Sequence, residues 1–423
     1  MNVPETKKPR IVVIGGGFAG ISLINNLQNT DVQIVLFDRH NYHTFQPLLY
    51  QVSTAGLEPD SIAYPLRKIF RKNKDFHFRM AEVENIDPKS KTIKTSIGQL
   101  QYDYLVIATG TRTNFFGNKN IKEKSMPMKT VPQALNIRSL MLQNIEEADI
   151  TEDPIRRKQL LNFVIAGAGP TGVELAGALA EFRKGILEHD YPELDEEEMQ
   201  VHLLEGADRV LLPMSEHASR KAQNFLEKLG VVVHLNTIVK DFDGKTVVTE
   251  SQNFDTATFI WAAGVTGAPV KGIEGASLVE KVNRYKVDQF NRIEGFDTIF
   301  ALGDIALMTS EEYPKGHPQV AQPAIQQGKR LGKNLKKLLK GKEMTPFSYF
   351  DKGTMATIGR NKAVCDVKKM RFAGAFAWFL WMFVHLWFLV GFRNRVVTFF
   401  NWTYNYVNYD RAARLIIRPF KKS

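Results

Sequence analysis

One pattern occurs twice in this chain and constrains its fold more than any other feature: a short apolar strand, a glycine-rich turn and a helix. The two copies are Arg10-IVVIGGGFAGISLINNL and Leu161-NFVIAGAGPTGVELAGALAEF. In such a segment the turn lets the backbone approach a pyrophosphate, and the helix N-terminus offers N–H groups and a partial positive charge to it. The repetition predicts two dinucleotide-binding units rather than one.

The first glycine turn has the full fingerprint of a dinucleotide site. Gly15, Gly17 and Gly20 form G-x-G-x-x-G directly after the strand Ile11–Ile14. The first glycine permits the tight turn, the second admits the pyrophosphate, and the third lets the helix pack on the strand. Asp38 ends the next apolar run, near the usual offset of about 20 residues, and is expected to bind a ribose.

The second turn repeats the fingerprint with Gly167, Gly169 and Gly172, and its matching acid is Glu205. A carboxylate here accepts hydrogen bonds from the ribose 2′-hydroxyl and repels a 2′-phosphate, which favours NADH over NADPH. Arg209 lies close by in sequence and would weaken that preference.

Further apolar runs alternate with helical segments, which predicts a doubly wound α/β architecture with parallel sheets. These strand-like runs are Tyr104-LVIATG, Gln200-VHLLEG, Val231-VVHL, Phe259-IWAAGV and Thr298-IFALGD. Residues 112–130 are expected to form a linker. The acidic stretch Asp190-YPELDEEE is expected to be a solvated loop.

The strand that ends in Gly303 and Asp304 points to a flavin. In flavoproteins with two dinucleotide domains, the aspartate of such a Gly-Asp end contacts the flavin ribityl chain and phosphate. The alternative for Asp304 is a helix N-cap. Together with the two turns, this element favours electron relay between a bound flavin, FAD, and a nicotinamide.

The single cysteine, Cys365, limits the chemistry. No intrachain disulfide can form, and a reducing compartment is the natural inference. Cys365 itself is expected to be a small packing residue. His40 and His43 lack an accompanying cysteine or carboxylate cluster, so no metal site is assigned.

Over nearly its whole length the sequence resembles the type II NADH dehydrogenases, the single-subunit, non-proton-pumping NADH:quinone oxidoreductases. The matching elements are Asn41-YHTFQPLLYQVSTAGL, Ala108-TG, Gly167-AGPTGVELAG, Trp261-AAGV, Ala301-LGD and Val320-AQPAIQQG. The last resembles the quinone-site motif of that family and is the most specific. Disulfide reductases and sulfide:quinone oxidoreductases of this architecture need more than one cysteine, so both relatives are disfavoured.

The resemblance implies roles for individual residues. Glu174 would lie beside the nicotinamide and flavin and orient the ring, whereas the alternative is a structural acid in the first turn of a helix. A helix predicted over 323–340, with Pro323 at its first position, would carry Gln322 and Gln326 on one face. Neutral amides there can donate to a quinone carbonyl, although ordinary polar surface is the alternative.

The remaining cofactor contacts also follow from the resemblance. The positions implied for FAD are Gly16, Phe18, Ala19, Arg39, Gln46, Val83, Ala108, Thr109 and Gly110. Those implied for NADH are Pro170, Thr171, Ala263 and Gly264.

The composition changes sharply at Phe372. Residues 372–392 contain no formal charge, and four of the five tryptophans lie at 378, 381, 387 and 402. As one helix this run would reach about 31 Å, near the thickness of the hydrocarbon core. Basic residues flank both of its ends, so a monotopic arrangement in one leaflet is preferred over a span. An interface of a soluble dimer is the third alternative.

The predicted fold class is therefore α/β, with two Rossmann-like dinucleotide-binding domains and a C-terminal membrane-associating helical region. The predicted boundaries are 7–118 and 285–350 for the FAD-binding domain, 119–284 for the NADH-binding domain and 351–423 for the anchor. The expected partners are a quinone, menaquinone or ubiquinone, and the lipid surface, and the sequence allows a homodimer. No secretory signal precedes Ile11, so the cytoplasmic face of the membrane is expected.

Three rival functions remain open at this stage. The first is a soluble NADH-dependent ferredoxin or rubredoxin reductase, which would not need residues 372–392 to be so apolar. The second is a flavoprotein that senses NADH without catalysis. The third, a nucleic-acid binder, has only the net charge of +11 in its favour and no recognition motif.

Overall fold

The computed structural model describes residues 1–408 and 413–420. These residues form two compact units. Unit 1 comprises residues 1–43, 64–112 and 265–351, and unit 2 comprises residues 44–63, 113–264 and the described residues from 352 onward. The end of the predicted anchor, residues 409–412 and 421–423, lies outside the described residues.

Unit 1 is built on a five-stranded parallel sheet. Its order is Ile299–Ala301, Tyr104–Ile107, Arg10–Ile14, Gln33–Asp38 and Phe76–Met80. Both faces are covered, because alternate residues of the central strand enter two different apolar clusters: Val12 and Ile14 one, Ile11 and Val13 the other. This double burial explains why the strands read as unbroken apolar runs.

Unit 1 has two longer helices, Phe18–Asn26 and Ala321–Leu338, and one short helix, Leu66–Ile69. It also has 3-10 turns at Gly275–Ser277 and Gly303–Ile305. Two small sheets contain Val83–Asp87, Thr92–Thr95 and Gly98–Gln101, and Leu278–Val279, Arg284–Lys286 and Ala306–Leu307. The strands Tyr42–Thr44, Ala63–Pro65, Thr111–Thr113 and Val265–Gly267 lie at or beside the unit boundaries.

The helix Ala321–Leu338 differs slightly from its prediction. It begins two residues before Pro323, which therefore occupies the third helical position instead of the first. Its Gly328 permits close packing on the helix Phe18–Asn26, since a Cβ there would lie 2.4 Å from the carbonyl oxygen of Ala19. The Ser22 hydroxyl also donates to the Ile325 carbonyl at 2.7 Å.

Unit 2 contains a second five-stranded parallel sheet. Its order is Met126–Pro127, Thr258–Trp261, Asn162–Ala166, Gln200–Leu204 and Val231–His234. An antiparallel sheet consists of Val239–Phe242, Thr246–Thr249 and Asn253–Asp255. The predicted doubly wound α/β fold is confirmed in both units.

The helices of unit 2 surround these sheets. Before the C-terminal segment they are Leu49–Ser53, Pro59–Ile62, Lys119–Lys124, Val131–Asp149, Pro154–Leu161, Pro170–Phe182, Glu188–Asp190 and Glu216–Lys228, with a π-helix at Arg183–Leu187 and 3-10 turns at Gln46–Leu48 and Glu196–Glu198. The prediction of a linker over 112–130 is wrong, because this segment holds a capped helix and a strand of the main sheet.

The C-terminal segment begins with an antiparallel sheet of Thr354–Gly359, Lys362–Val367 and Met370–Ala373. This sheet packs closely on the helix Pro170–Phe182, because a Cβ at Gly177 would lie 1.7 Å from the carbonyl oxygen of Ile358. Cys365 is buried in the sheet, and burial raises the pKa of its thiol to about 11. Cys365 therefore remains a protonated packing residue.

The apolar run 372–392 is not one helix. It is divided among the strand that ends at Ala373, the helix Ala375–Phe388 and the start of the helix Phe392–Asn408. Gly374 and Gly391, which have φ values of +85° and +92°, separate these elements. Within residues 1–408 and 413–420, no helix has the length and apolarity needed to cross a membrane.

Candidate active site

The glycine turn of unit 1 combines a tight backbone with an open helix N-terminus. Gly15 has φ +108°, and a Cβ there would lie 2.3 Å from the carbonyl oxygen of Ala108. A Cβ at Gly20 would lie 2.1 Å from the carbonyl oxygen of Gly15. By contrast, a Cβ at Gly17, the helix N-cap, would meet no described atom within 4 Å. The turn thus leaves space for a phosphate group where the helix begins.

Asp38 is fixed beside this turn by two backbone donors. Its carboxylate accepts the N–H of Gly16 at 2.7 Å and the N–H of His40 at 2.8 Å. The Gly15 N–H donates to the carbonyl of Phe37 at 2.8 Å, which ties the turn to the strand that carries Asp38. The predicted acid and glycine turn are therefore assembled into one site.

Unit 2 repeats this arrangement. Gly167 has φ +100°, a Cβ at Gly172 would lie 1.9 Å from the carbonyl oxygen of Gly167, and a Cβ at Gly169 would meet no described atom within 4 Å. Glu205 accepts the N–H groups of Ala168 at 2.6 Å and Ala207 at 2.9 Å. In each unit, the acid therefore accepts one N–H from the residue after the first glycine and another from the residue two positions after the acid itself.

Pro170 and Thr171 lie within the second fingerprint, and Arg209 follows Glu205 by four residues. Pro170 is the first helical residue, where its missing N–H has no intrahelical partner to lose; Thr171 follows it. The Arg209 guanidinium donates to the Leu212 carbonyl at 3.0 Å, which holds at least one of its nitrogens on the loop backbone.

The Gly-Asp end of unit 1 also has a defined geometry. Gly303 has φ +70°, and its N–H donates to the Gln327 side chain at 2.7 Å. The Asp304 carboxylate accepts from the Thr111 hydroxyl at 3.4 Å. Leu302, not Asp304, is the N-cap of the short turn, so the alternative of a capping aspartate is not what the structure shows.

The other positions implied for the flavin are divided between the units. Ala108, Thr109 and Gly110 follow the strand Tyr104–Ile107 in unit 1, while Phe18 and Ala19 begin the first helix there. Arg39 and Val83 also lie in unit 1, where Arg39 pairs with Glu82 at 4.0 Å. Gln46 lies in unit 2, and its side chain accepts from Lys129 at 3.3 Å.

The two glutamines that the resemblance implies for quinone binding differ in their surroundings. Gln326 is engaged at both ends of its amide, since it donates to the carbonyl of Phe350 at 2.8 Å and accepts the Phe350 N–H at 3.0 Å. Gln322 lies half-buried in the first turn of the same helix. Gln326 therefore holds the chain at Phe350, a role that its sequence position did not indicate.

Glu174 is buried in a cavity of about 710 Å³ whose lining residues all belong to unit 2. Burial raises the pKa of its carboxyl to about 8, opposed in part by the Thr357 N–H, which donates at 3.4 Å, and by the Trp381 indole. The carboxyl is thus protonated at neutral pH. An uncharged acid in a cavity of this size can give a proton to a ligand bound there.

Several residues of this cavity were missed in the sequence. The Trp402 indole N–H donates to the Gln51 side chain at 2.8 Å, and Gln51 donates to the Tyr50 hydroxyl at 2.8 Å. The rings of Trp381 and Trp402 lie 5.7 Å apart. Tyr50 and Gln51 belong to the run Asn41-YHTFQPLLYQVSTAGL and could have been identified from it. Thr357 comes from the C-terminal sheet and gave no such indication.

Phe116, which borders Gly264, was also missed in the sequence. Ala263 and Gly264 follow the strand Thr258–Trp261. The ring of Phe116 would be 3.2 Å from a Cβ at Gly264. Phe116 has φ +50° and is 67% exposed, an unusual conformation for a large apolar residue. Phe116 thus borders the position implied for the nicotinamide.

Comparison with known proteins identifies two family models along the chain. Residues 9–328 match the family described as pyridine nucleotide-disulphide oxidoreductase, and residues 352–408 match the NDH2 C-terminal domain. The type II NADH:quinone oxidoreductase Ndh of Mycobacterium tuberculosis is 34% identical over 430 residues, covering 97% of this chain and 90% of the relative. That of Staphylococcus aureus is 29% identical over 385 residues, covering 88% and 93%.

Solved structures support the fold assignment. NDH2 from Plasmodium falciparum in complex with NADH has a TM-score of 0.90 at 20% identity, covering 97% of this chain and all of that one. The sulfide:quinone oxidoreductase of Aquifex aeolicus has a TM-score of 0.72 at 18% identity. At these identities the likeness concerns the fold.

Proposed function

This chain belongs to the type II NADH:quinone oxidoreductases, and we propose that its two glycine turns, the cavity around Glu174 and its C-terminal helices carry out that activity at a membrane surface. The chain is an FAD-dependent NADH:quinone oxidoreductase that does not pump protons. When bound, FAD accepts hydride from NADH and passes the electrons to the quinone. The observation that carries the assignment of residues is the pair of matched turn-and-acid sites, one in each unit.

The turn of unit 1 fits the pyrophosphate of FAD. The space at Gly17, the fixed carboxylate of Asp38 and the Gly303–Asp304 end supply a phosphate cradle and ribose acceptors. We assign the FAD-binding domain to residues 7–118 and 285–350, the NADH-binding domain to 119–284 and the anchor to 351–423.

The turn of unit 2 fits NADH, and Glu205 selects it. Replacing Glu205 by arginine should lower kcat/KM for NADH roughly tenfold, because hydrogen bonds to a carboxylate acceptor are lost. The same change should favour NADPH, since the guanidinium attracts the 2′-phosphate. Steady-state kinetics with both nucleotides measure this. Glu193→Arg, the same charge change on an exposed loop of unit 2, is the control and should leave the ratio unaltered. Unchanged discrimination in the Glu205 variant would remove Glu205 from the site.

The quinone is assigned to the cavity around Glu174, where the aromatic walls suit an apolar ring and the protonated carboxyl holds a proton for a quinone oxygen. The resemblance separately implies Gln322 and Gln326, on the helix Ala321–Leu338 of unit 1, as amide donors to the quinone, and neither is among the residues that line this cavity.

Substitution of these glutamines separates their roles. Gln322→Leu and Gln326→Leu should each slow reduction of the quinone several-fold more than reduction of the enzyme by NADH. Gln326→Leu should also lower the melting temperature, because the Phe350 N–H and carbonyl lose their partner. Stopped-flow measurement of both half-reactions tests this, and an equal fall in both would contradict the quinone assignment.

The C-terminal helices present an apolar face to solvent. Besides Phe388 at its end, the helix Ala375–Phe388 exposes the large side chains of Phe376, Phe379, Phe383 and Trp387. Their spacing of three and four residues places them on one side of the helix. Such a face fits insertion into one leaflet, on the cytoplasmic side, whereas burial against a second copy of the chain is the alternative.

Charges placed on this face distinguish the two. The double variant Phe379→Glu/Phe383→Glu should partition into lipid vesicles at least about tenfold less, because two large apolar side chains lose their burial. Turnover with a water-soluble quinone should persist. Ile155→Glu, at an equally exposed apolar site elsewhere in unit 2, is the control. If the variant binds vesicles normally but changes from dimer to monomer, the face is a dimer interface.

A further inference from the structure

The strand order of unit 2 determines where the two halves of a dinucleotide lie. The strand that leads into the glycine turn, Asn162–Ala166, has Gln200–Leu204 on one side and Thr258–Trp261 on the other, all parallel. In such a sheet a ligand binds outside the carboxyl ends of the strands, where the strand order reverses. Glu205 follows the first neighbour and Gly264 follows the second, so they lie on opposite sides of the turn.

The glycine turn packs closely against the segment that carries Gly264. A Cβ at Gly167 would lie 2.6 Å from the Cα of Ala263. A dinucleotide whose pyrophosphate lies at the turn and whose adenosine ribose is bound by Glu205 must extend its other half away from Glu205. That half carries the nicotinamide, and the strand order directs it to Ala263 and Gly264.

Asn114 holds the segment 114–117 against this end of the crevice. The Asn114 N–H donates to the Gly264 carbonyl at 3.0 Å, and the Asn114 carbonyl accepts the Trp261 indole N–H at 2.8 Å. The Asn114 side chain also accepts the N–H of Phe116 at 2.9 Å. These three hydrogen bonds fix the backbone of Phe116 beside Gly264.

Phe116 is held in a conformation that its own side chain disfavours. Its φ is +50°, which a bulky residue rarely adopts, and its ring is mostly exposed to solvent. Two carbons of the ring would lie 3.2 and 3.6 Å from a Cβ at Gly264, so the ring stands against that glycine. Neither burial of the ring nor backbone preference explains this arrangement, and strained residues of this kind cluster at ligand sites. The ring is therefore available to a ligand beside Gly264.

We propose that the Phe116 ring packs against the nicotinamide of bound NADH and holds it at Gly264. The proposal rests on the NADH site of unit 2 proposed above. An exposed aromatic ring is stabilised by a flat partner, and the nicotinamide is the flat ring of NADH at this end of the crevice. Gly264, which lacks a side chain, leaves room for that ring next to Phe116. Phe116 thus acts on binding of the nicotinamide and not on the adenosine half.

The test compares two ligands of the full-length FAD-loaded enzyme, tetrahydro-NAD and ADP-ribose. Tetrahydro-NAD resembles NADH but cannot donate hydride, and ADP-ribose lacks the nicotinamide. Phe116→Asn removes the ring and introduces a residue that tolerates positive φ. It should weaken binding of tetrahydro-NAD roughly three- to tenfold, the usual effect of one aromatic contact, and leave binding of ADP-ribose unchanged. Isothermal titration calorimetry measures both dissociation constants.

Two further variants separate the ring from other effects of the substitution. Phe116→Tyr keeps the ring and should bind both ligands as the unaltered enzyme does. Ile150→Asn makes a similar change at an exposed apolar residue after the helix Val131–Asp149 and should also leave both constants unchanged. The unfolding temperature of Phe116→Asn should not fall, because the lost ring is exposed and the backbone strain is relieved.

The outcomes distinguish the role of the ring from the presence of the site. An equal loss for the two ligands would mean that the ring supports the whole nucleotide site, and unchanged binding of tetrahydro-NAD would mean that it makes no contact with the nicotinamide. Either result overturns the proposal. Glu205→Arg should weaken binding of ADP-ribose, because the carboxylate binds the adenosine ribose. If it does not, the NADH site of unit 2 is itself wrong, and so is the proposal for Phe116.

Discussion

Replacing Glu174 by glutamine should slow reduction of the quinone by roughly a hundredfold, the usual contribution of one positioned general acid. Glutamine keeps the size of the side chain but has no proton to release. The rate at which NADH reduces the enzyme should change far less. Stopped-flow measurement of the two half-reactions gives both rates. Glu181→Gln, which alters another carboxyl of the same cavity, is the matched control and should keep the rate of quinone reduction.

The rate of quinone reduction should also depend on pH, and the pKa of Glu174 gives the direction of the change. Burial raises the pKa of Glu174 to about 8, so the carboxyl is protonated below that pH and ionised above it. Quinone reduction by the unaltered enzyme should therefore fall as the pH rises through about 8, and the fall should be absent in the glutamine variant. Because the folded state keeps the proton that the unfolded chain releases, this group's contribution to stability is full below the ordinary pKa of 4.5 and is lost as the pH rises from there to about 8. An alkaline limb that survives in Glu174→Gln would assign the proton to another group.

Replacing Gly20 by alanine should abolish FAD binding through the fold of the turn itself. The added Cβ would lie 2.1 Å from the carbonyl oxygen of Gly15, so the turn must move or the helix must separate from the strand. Overpacking of this kind costs about 3 kcal/mol or more. The purified variant should contain little flavin, and the apoprotein should unfold at a clearly lower temperature than the unaltered apoprotein.

Gly17→Ala is the control that distinguishes an effect on folding of the turn from an effect on FAD binding. Its Cβ would meet no described atom within 4 Å, so the apoprotein should unfold at nearly its normal temperature. The methyl group would nevertheless occupy the space assigned to the pyrophosphate, which should weaken FAD binding. Flavin content and thermal unfolding of the apoproteins measure the two effects. Equal loss of stability in both variants, or full flavin content in Gly17→Ala, would contradict the geometry of the site.

The two nucleotide turns could be predicted from the sequence because their determinants are local. The positive φ values at positions 15 and 167 require glycine, and Asp38 and Glu205 follow at the ends of the next strands. These contacts depend on few residues, all within short segments. The pattern of glycine and acid therefore specified the local geometry without knowledge of the rest of the chain.

The cavity around Glu174 could not be predicted because its walls come from distant segments. The segments 50–56, 174–185, 225–229, 357–362 and 378–406 meet there, and the position of each depends on the packing of the whole unit. The raised pKa of Glu174 is a consequence of that packing. The sequence predicts Glu174 in the first turn of a helix, which favours an ionised carboxylate, but this prediction is wrong because the helix begins at Pro170 and Glu174 is its fifth residue, beyond the first turn.

The apolar composition of residues 372–392 also suggested a single helix that the structure does not contain. The uncharged run 372–392 allows one long helix, but Gly374 and Gly391 end its helical segments. Likewise, proline is tolerated throughout the first turn of a helix, so Pro323 could not fix the start at Ala321.

Anaerobic titration of the purified protein with NADH, followed by addition of a quinone, tests the central claim most directly. Stoichiometric NADH should bleach the flavin absorbance, and the quinone should restore it rapidly. A protein that carries no flavin, or whose bleached flavin is not reoxidised by quinone, would contradict the account.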